Sequence, residues 1–432
     1  MRSKQEKNKN GFPVDNFQIW GYNGAVRKIK TEIPFLFERM MLMKLLSISA
    51  KGLPLFKEEL HITFFAGQRV SEADRSQLHL LRKGSSYYLN NAISLIGINA
   101  SGKTSALKVV LLALNMLNNE PINHIETRDI LGQSKKVTLD ICFFSDCDEI
   151  CRLETVIATT LGKNKEIKYT IKEETLWTKP ASSVTTKKQL LDFDGITPSA
   201  KRSNDEAFLP SDISIIIAYN KQHQQHIEVA DLLSLTNINV LPISDDIPLD
   251  IVTYLDPTVE NLSFAHEDND NKISVHLKFK GKSEIILSDP VELNHYLSSG
   301  TIKGIVTFTL AIRILKSGGY LVIDELENHF NKEIVATLIR FFMDAAMNRF
   351  GGTLIFTTHY PELLDEFERN DCIYIVRNRD GITVSNLTDI LKRNDLKKSD
   401  AYQSGFLEGT VPIYEAYLNL KKSIRLALVK EG

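Results

Sequence analysis

Gly97-Ile-Asn-Ala-Ser-Gly-Lys-Thr104 is the stretch that decides the fold. It satisfies G-x-x-x-x-G-K-[ST], and its surroundings are the ones that pattern requires: an apolar run, Asn91-Ala-Ile-Ser-Leu-Ile-Gly97, before it and a helical period after it. From Thr104 to Leu117 the apolar residues Ala106, Leu107, Val110, Leu111, Leu114 and Leu117 recur at helical spacing. Glycines let backbone N–H groups turn inward around phosphate oxygens. A lysine at position 103 neutralises terminal phosphates, and a hydroxyl at Thr104 is placed for Mg²⁺. A glycine-bearing βα turn can match the pattern by chance, but two correct flanks favour the phosphate-binding reading. Gly97, Asn99, Ala100, Ser101, Gly102, Lys103, Thr104 and Ser105 therefore form the expected cradle for a nucleoside triphosphate.

Three downstream segments read as its partners. Tyr320-Leu-Val-Ile-Asp324-Glu325 is an apolar strand ending in two carboxylates at the edge where open α/β sheets bind ligands. Asp324 is expected to hold Mg²⁺, and Glu325 to polarise an attacking water as the catalytic base. Such strand ends are often only solvated; pairing with the glycine-rich loop favours the functional reading. Leu297-Ser298-Ser299-Gly300-Thr301 precedes a helical run, where hydroxyl, backbone N–H groups and helix dipole make an anion site. An ordinary serine N-cap looks the same. Thr353-Leu-Ile-Phe-Thr-Thr-His359 is a strand ending in histidine, one βαβ unit further on, so His359 should emerge beside the carboxylates as a catalytic γ-phosphate sensor.

Composition narrows the class. Hydrophobic residues make up 43% and charged residues 25% of 432, ordinary globular values, and 52 Lys+Arg against 54 Asp+Glu give a net charge of −2 that points to no particular partner. No apolar run approaches the ~20 residues of a membrane helix, and no signal-peptide core follows the polar N-terminus. A cytoplasmic protein without a membrane partner is expected. Four cysteines are too few for a disulfide framework. Cys142, Cys147 and Cys151 lack the spacing of a zinc site and read as buried or incidental thiols.

Periodicity divides the chain. Residues 1–40 read as an N-terminal extension, either upstream of a start at Met41 or Met43 or a partner-binding arm. Residues 41–220 read as a lobe holding the glycine-rich loop and successive antiparallel strands at 136–144, 151–158 and 165–173. The Lys/Ser/Thr-rich stretch 178–206 reads as a loop or mobile insertion, and 214–218 as a buried strand. Residues 221–270 read as a helical insertion or lid, and 272–279 with 283–287 as a hairpin. Over 271–390 the regular alternation of helix 301–316, strand 320–324, helix 331–347, strand 353–358, helix 361–367 and strand 372–377 predicts a parallel sheet covered by helices. Residues 391–432 form a tail that either docks a partner or packs on its own core.

The order of these motifs resembles the ABC-type ATPases of the soluble branch that includes SMC, RecF and OLD-like proteins. Gly97 to Thr104, Ile323-Asp-Glu-Leu-Glu-Asn-His329 and Thr357-Thr-His-Tyr-Pro-Glu-Leu-Leu364 are similar to the compact prokaryotic AAA-family ATPases related to OLD, many of which serve anti-phage systems such as PARIS, Septu and Gabija. The resemblance covers residues 41–118 and 270–380. It implies an α/β P-loop NTPase with an ABC-type head: a mixed sheet flanked by helices, an antiparallel β lobe and a helical insertion. It also implies ATP and Mg²⁺ as ligands, and a head-to-tail homodimer or higher assembly with two ATP molecules between subunits. Ser298, Ser299 and Gly300 of one subunit would then face the phosphate held by Lys103 and Thr104 of the other. The signature departs from the transporter pattern at Ser299 and Thr301. Gln222 is the candidate glutamine-loop ligand to Mg²⁺, with a polar helix start as the competing reading. Glu327 and His329 either lie at the seam near the nucleotide or cap the next helix.

The expected function is a switch ATPase that senses a trigger, DNA or a phage protein, and controls a separate effector such as a nuclease or toxin, since too little chain follows residue 377 for a Toprim nuclease. The alternative is a DNA-maintenance ATPase that binds duplex through Lys135-Lys136, Lys163, Lys165, Lys168, Lys187-Lys188 and Lys201-Arg202. A transporter subunit fits badly, because the stretch between Thr104 and Leu297 is too long.

Overall fold

A computed structural model describes residues 16–20, 26–30, 43–161, 166–202, 209–233, 242–243, 247–266, 273–328, 330–393, 396–407, 409–410 and 414–429. At its centre is a six-stranded sheet in the order Val229–Asp231, Tyr320–Ile323, Thr353–Thr358, Ala92–Ile96, Ile373–Asn378, Ile382–Asn386. The first five strands run parallel and the last closes the edge antiparallel. The strands are near-continuous apolar runs because both faces are covered, as parallel sheets require.

One face, carrying Ile93, Leu95, Val322, Ile355 and Val376, packs on the helix Lys103–Leu117. That helix is buried almost all round, because a second six-stranded sheet covers its other side. This sheet is wholly antiparallel, in the order Ala200–Lys201, Ile167–Pro180, Glu149–Leu161, Val137–Ser145, Lys44–Lys51, Leu60–Thr63. Polar pins fix the two sheets together: Leu45 N donates to Tyr320 Oη at 2.7 Å, and Thr63 N to Tyr374 Oη at 2.8 Å. The opposite face of the parallel sheet, with Ile96, Leu321, Ile323, Leu354 and Phe356, buries the apolar sides of Ser299–Ser317 and Lys332–Met343. A three-stranded antiparallel sheet, Val259–His266, Ile273–Phe279 and Ile285–Leu287, contributes to that second core. No helix among the described residues is long and apolar enough to cross a membrane.

Several expectations need correction. Residues 214–218 do not form a strand; Ile216–His223 is a helix, with Ile216 and Tyr219 buried under the antiparallel sheet. A short apolar run carries no period to tell the two apart. Residues 221–270 are not one insertion, because Val229–Asp231 is an edge strand of the central sheet. Of the stretch 178–206, the described residues 178–202 are held down rather than mobile. Thr186 caps the short helix Lys187–Leu191 with a full capping box, and Val184, Leu190 and Phe193 pack against Leu46 and Phe144. The helix expected over 361–367 is present as a 3-10 helix, Pro361–Glu366. In the N-terminal 40 residues, Asn16–Trp20 pairs with Val26–Lys30 and with Pro242–Ile243.

The tail resolves into two parts. Lys398–Gln403 packs on the chain's own core: Ser399 donates from N (3.0 Å) and Oγ (2.5 Å) to the Asp365 carboxylate, and Tyr402 and Leu407 are buried. The helix Tyr414–Val429 instead exposes Tyr414, Tyr417, Leu420, Ile424 and Leu428.

Candidate nucleotide site

The glycine-rich loop crosses from the strand Ala92–Ile96 to the helix Lys103–Leu117 at the C-terminal edge of the parallel sheet. Its glycines are steric necessities. A Cβ at Gly97 would sit 2.3 Å from Ser101 Oγ and 2.4 Å from the Val376 carbonyl oxygen, and Gly102 has φ 98°. Ala100 also takes a positive φ, 60°.

Neighbouring strands deliver the remaining groups in register. Ile323 lies opposite Phe356, so Asp324 emerges beside Thr357. Asp324 accepts from Thr104 Oγ1 through Oδ2 at 2.7 Å and from Thr357 Oγ1 through Oδ1 at 2.5 Å. Thr357 Oγ1 in turn accepts from Glu325 N at 2.7 Å. That bond helps hold Glu325 at φ 48°, a left-handed conformation that costs a non-glycine residue about 1–2 kcal/mol. Backbone strain of this sort is characteristic of sites where a side chain must be aimed.

Lys103 and His359 meet over the loop. Lys103 Nζ donates to the carbonyls of Gly97 (3.0 Å) and Ile98 (3.2 Å) and lies 3.1 Å from His359 Nδ1. The same Nδ1 lies 3.2 Å from the Gly97 carbonyl oxygen, and Nε2 faces Glu325 Oε1 at 3.3 Å. Asn328 Nδ2 donates to the other Glu325 oxygen at 2.6 Å. Burial lowers the pKa of Lys103, while Asp324, Glu325 and Glu327 oppose that shift. Burial alone would raise the Glu325 pKa. The donors Asn328 and His359, with the charges of His359 and Lys103, outweigh it and hold the carboxyl below its ordinary value.

These groups open on a cleft of about 780 Å³ lined by Asn99 to Ser105, Glu325, Asn328 and His359, with Pro54, Leu55, Asn378, Gly381 and Ile382 completing the wall. A nucleotide with Mg²⁺ fits the donor set. Ser101 Oγ is buried without a partner, Thr104 and Asp324 present paired oxygens, and a lysine stands beside them. Sequence reading missed Thr357, Asn328, Asn378 and Ile382. Asn378 ends a strand at the same sheet edge, and its Nδ2 donates to the Ala100 carbonyl at 3.2 Å, so a strand-end rule applied to 372–377 would have found it.

Other expected site residues lie elsewhere. Ser298 caps the helix Ser299–Ser317, accepting from Thr301 N at 3.0 Å, and Ser298, Ser299 and Gly300 do not line the cleft. Gln222 is not brought to the site. Asn220 on the same short helix bonds the Leu117 carbonyl at 2.6 Å, which puts Gln222 at the far end of the Lys103–Leu117 helix, roughly 20 Å from Lys103 at 1.5 Å rise per residue. The segment that does run beside the Asp324 strand is Val229–Asp231. His329, Lys163 and Lys165 lie outside the described residues. Of the remaining basic candidates, Lys187 is bound to the carbonyls of Ala66, Gly67 and Gln68.

Fold and site together have the form of a P-loop ATPase domain. The family model described as "AAA domain, putative AbiEii toxin, Type IV TA system" matches residues 241–365, a span holding Ser298, Asp324, Glu325 and His359, and supports an AAA/ABC-type ATPase. No curated protein matches the chain.

Proposed function

We propose that the chain hydrolyses ATP with Mg²⁺ and uses the cycle as a switch: two subunits close head to tail around ATP, and opening follows hydrolysis. The observation that carries this reading is the single connected set Thr104–Asp324–Thr357–Glu325–His359–Lys103 at one sheet edge. Thr104 and Asp324 would hold Mg²⁺, which supplies charge neutralisation to the phosphates. Lys103 binds the terminal phosphate, and Glu325, kept ionised by its donors, orients and deprotonates the attacking water. His359 sits between base and lysine, where it reads whether the phosphate is in place.

Ser298 and Gly300, away from their own subunit's cleft, are the groups a second subunit would use to complete it. In that setting the ATPase governs a separate effector, with anti-phage defence as the biological role. This part rests on the motif resemblance and on the toxin–antitoxin description of the matching family. Phosphate release from Mg-ATP tests the chemistry. Wild type should turn over, and Glu325→Gln should lose about 100-fold or more in kcat with ATP binding retained. A wild type without turnover, or a Glu325→Gln variant as fast as wild type, would refute the reading.

A further inference from the structure

Glu327, two residues past the expected base, carries a carboxylate that the mechanism above leaves unused. The residue is 6% exposed. Oε1 accepts the backbone N–H of His359 at 2.5 Å, and Oε2 is buried with no hydrogen-bond partner. A buried carboxylate with one unfilled oxygen is costly, and a helix cap does not explain it: the next helix, Lys332–Met343, is capped by Asn331, whose Oδ1 accepts from Ile334 N at 3.0 Å. The segment also has its own backbone closure, with Asn328 N on the Glu325 carbonyl at 2.9 Å and Phe330 N on that of Glu327 at 3.1 Å. The turn therefore stands without the Glu327 side chain.

The geometry points to Glu327 as a positioning residue for His359. The bond to His359 N fixes the histidine backbone at the point where the strand Thr353–Thr358 ends, and so sets the reach of the imidazole between Lys103 Nζ and Glu325 Oε1. Because Glu325 and Glu327 belong to one tight turn, a shift of that turn moves base and sensor together. Glu327 thus ties the position of the carboxylate pair to that of the histidine, in the same subunit. The inference rests on the hydrolytic reading of the site.

Two substitutions separate the acceptor from the charge. Glu327→Gln keeps an oxygen for His359 N, and Glu327→Met keeps the volume without the oxygen. We expect Gln to hold kcat within about threefold of wild type, and Met to lose about 10- to 100-fold in kcat, as small misplacements of catalytic groups do, with nucleotide affinity within about threefold. In a His359→Ala background the Met substitution should cost little further, because the effect runs through His359. A Met variant with wild-type kcat overturns the assignment. So does a Gln variant as slow as Met, which would trace the effect to the charge near Lys103, and so does a full additional loss in the His359→Ala background. Should Glu327→Met not fold by circular dichroism, Glu327→Ala replaces it; if neither folds, Glu327 is a stability element and the assignment falls. Absence of ATP turnover in wild type is a separate result, which removes the hydrolytic reading itself.

Discussion

Gly102→Ala puts a number on how tightly the glycine-rich loop is held. Gly102 has φ 98°, and a Cβ there would lie 2.5, 2.6 and 2.9 Å from Ile382 Cδ1, Cγ1 and Cγ2. Ile382 cannot step aside. It is β-branched and 4% exposed, its N donates to the Leu55 carbonyl at 2.8 Å, and its carbonyl accepts from Lys57 N at 3.0 Å. The backbone term is about 1–2 kcal/mol for an L-residue in left-handed space. The overpacking term adds about 1–3 kcal/mol, so the variant should lose about 2–5 kcal/mol in urea unfolding. Ile382→Ala removes all three offending atoms. On its own it should cost about 2–5 kcal/mol as a cavity. In the double variant the overpacking term vanishes, so the two changes should couple by about 1–3 kcal/mol, leaving the backbone term. Additivity within about 0.5 kcal/mol, or a Gly102→Ala variant as stable as wild type, would refute this account of the loop.

Three further outcomes follow from the same geometry. Asp324→Asn keeps one of the two oxygens that accept from Thr104 and Thr357 and loses the charge, so the gain in ATP affinity on adding Mg²⁺ over EDTA should shrink about 10- to 100-fold, read by calorimetry. Gln222→Ala, on an exposed position remote from the cleft, should leave kcat and ATP affinity within about twofold. Lys44 is buried with its Nζ on the carbonyls of Gly318, Phe350 and Gly351, and burial pushes its pKa from 10.5 down to about 7. The unfolded chain therefore binds the extra proton between those values, and the Lys44 contribution to stability rises with pH across that window, by up to about 1.4 kcal/mol per unit. Urea unfolding of wild type against Lys44→Met at pH 7 and 9 should show the difference moving in favour of wild type at the higher pH.

What could be read from the sequence was what is local in it. Phosphate binding needs contiguous backbone, so Gly97 to Thr104 declares itself; strands buried on both faces are apolar runs, so Tyr320–Ile323 and Thr353–Thr358 stood out together with the residues that end them. The rest depends on registers that no local pattern encodes. Thr357 reaches Asp324 only because two parallel strands align, and Ile382 lies under Gly102 only because the last strand folds back along the sheet edge. Val229–Asp231 is too short an edge strand to show a period, which is why the region after residue 220 read as an insertion. Average composition misled over 178–206, where scattered Val184, Leu190 and Phe193 anchor a polar stretch, and Lys179 and Lys187 spend their charges on backbone carbonyls.

The switch itself is tested most directly by the native mass of Glu325→Gln protein with and without Mg-ATP. The substitution keeps the cleft and stalls hydrolysis, so the closed state should accumulate. A shift to a dimer or larger species only when Mg-ATP is present is the predicted result, and it should disappear when Ser298 is replaced by Arg in the same chain. A mass that ATP does not change would contradict the account.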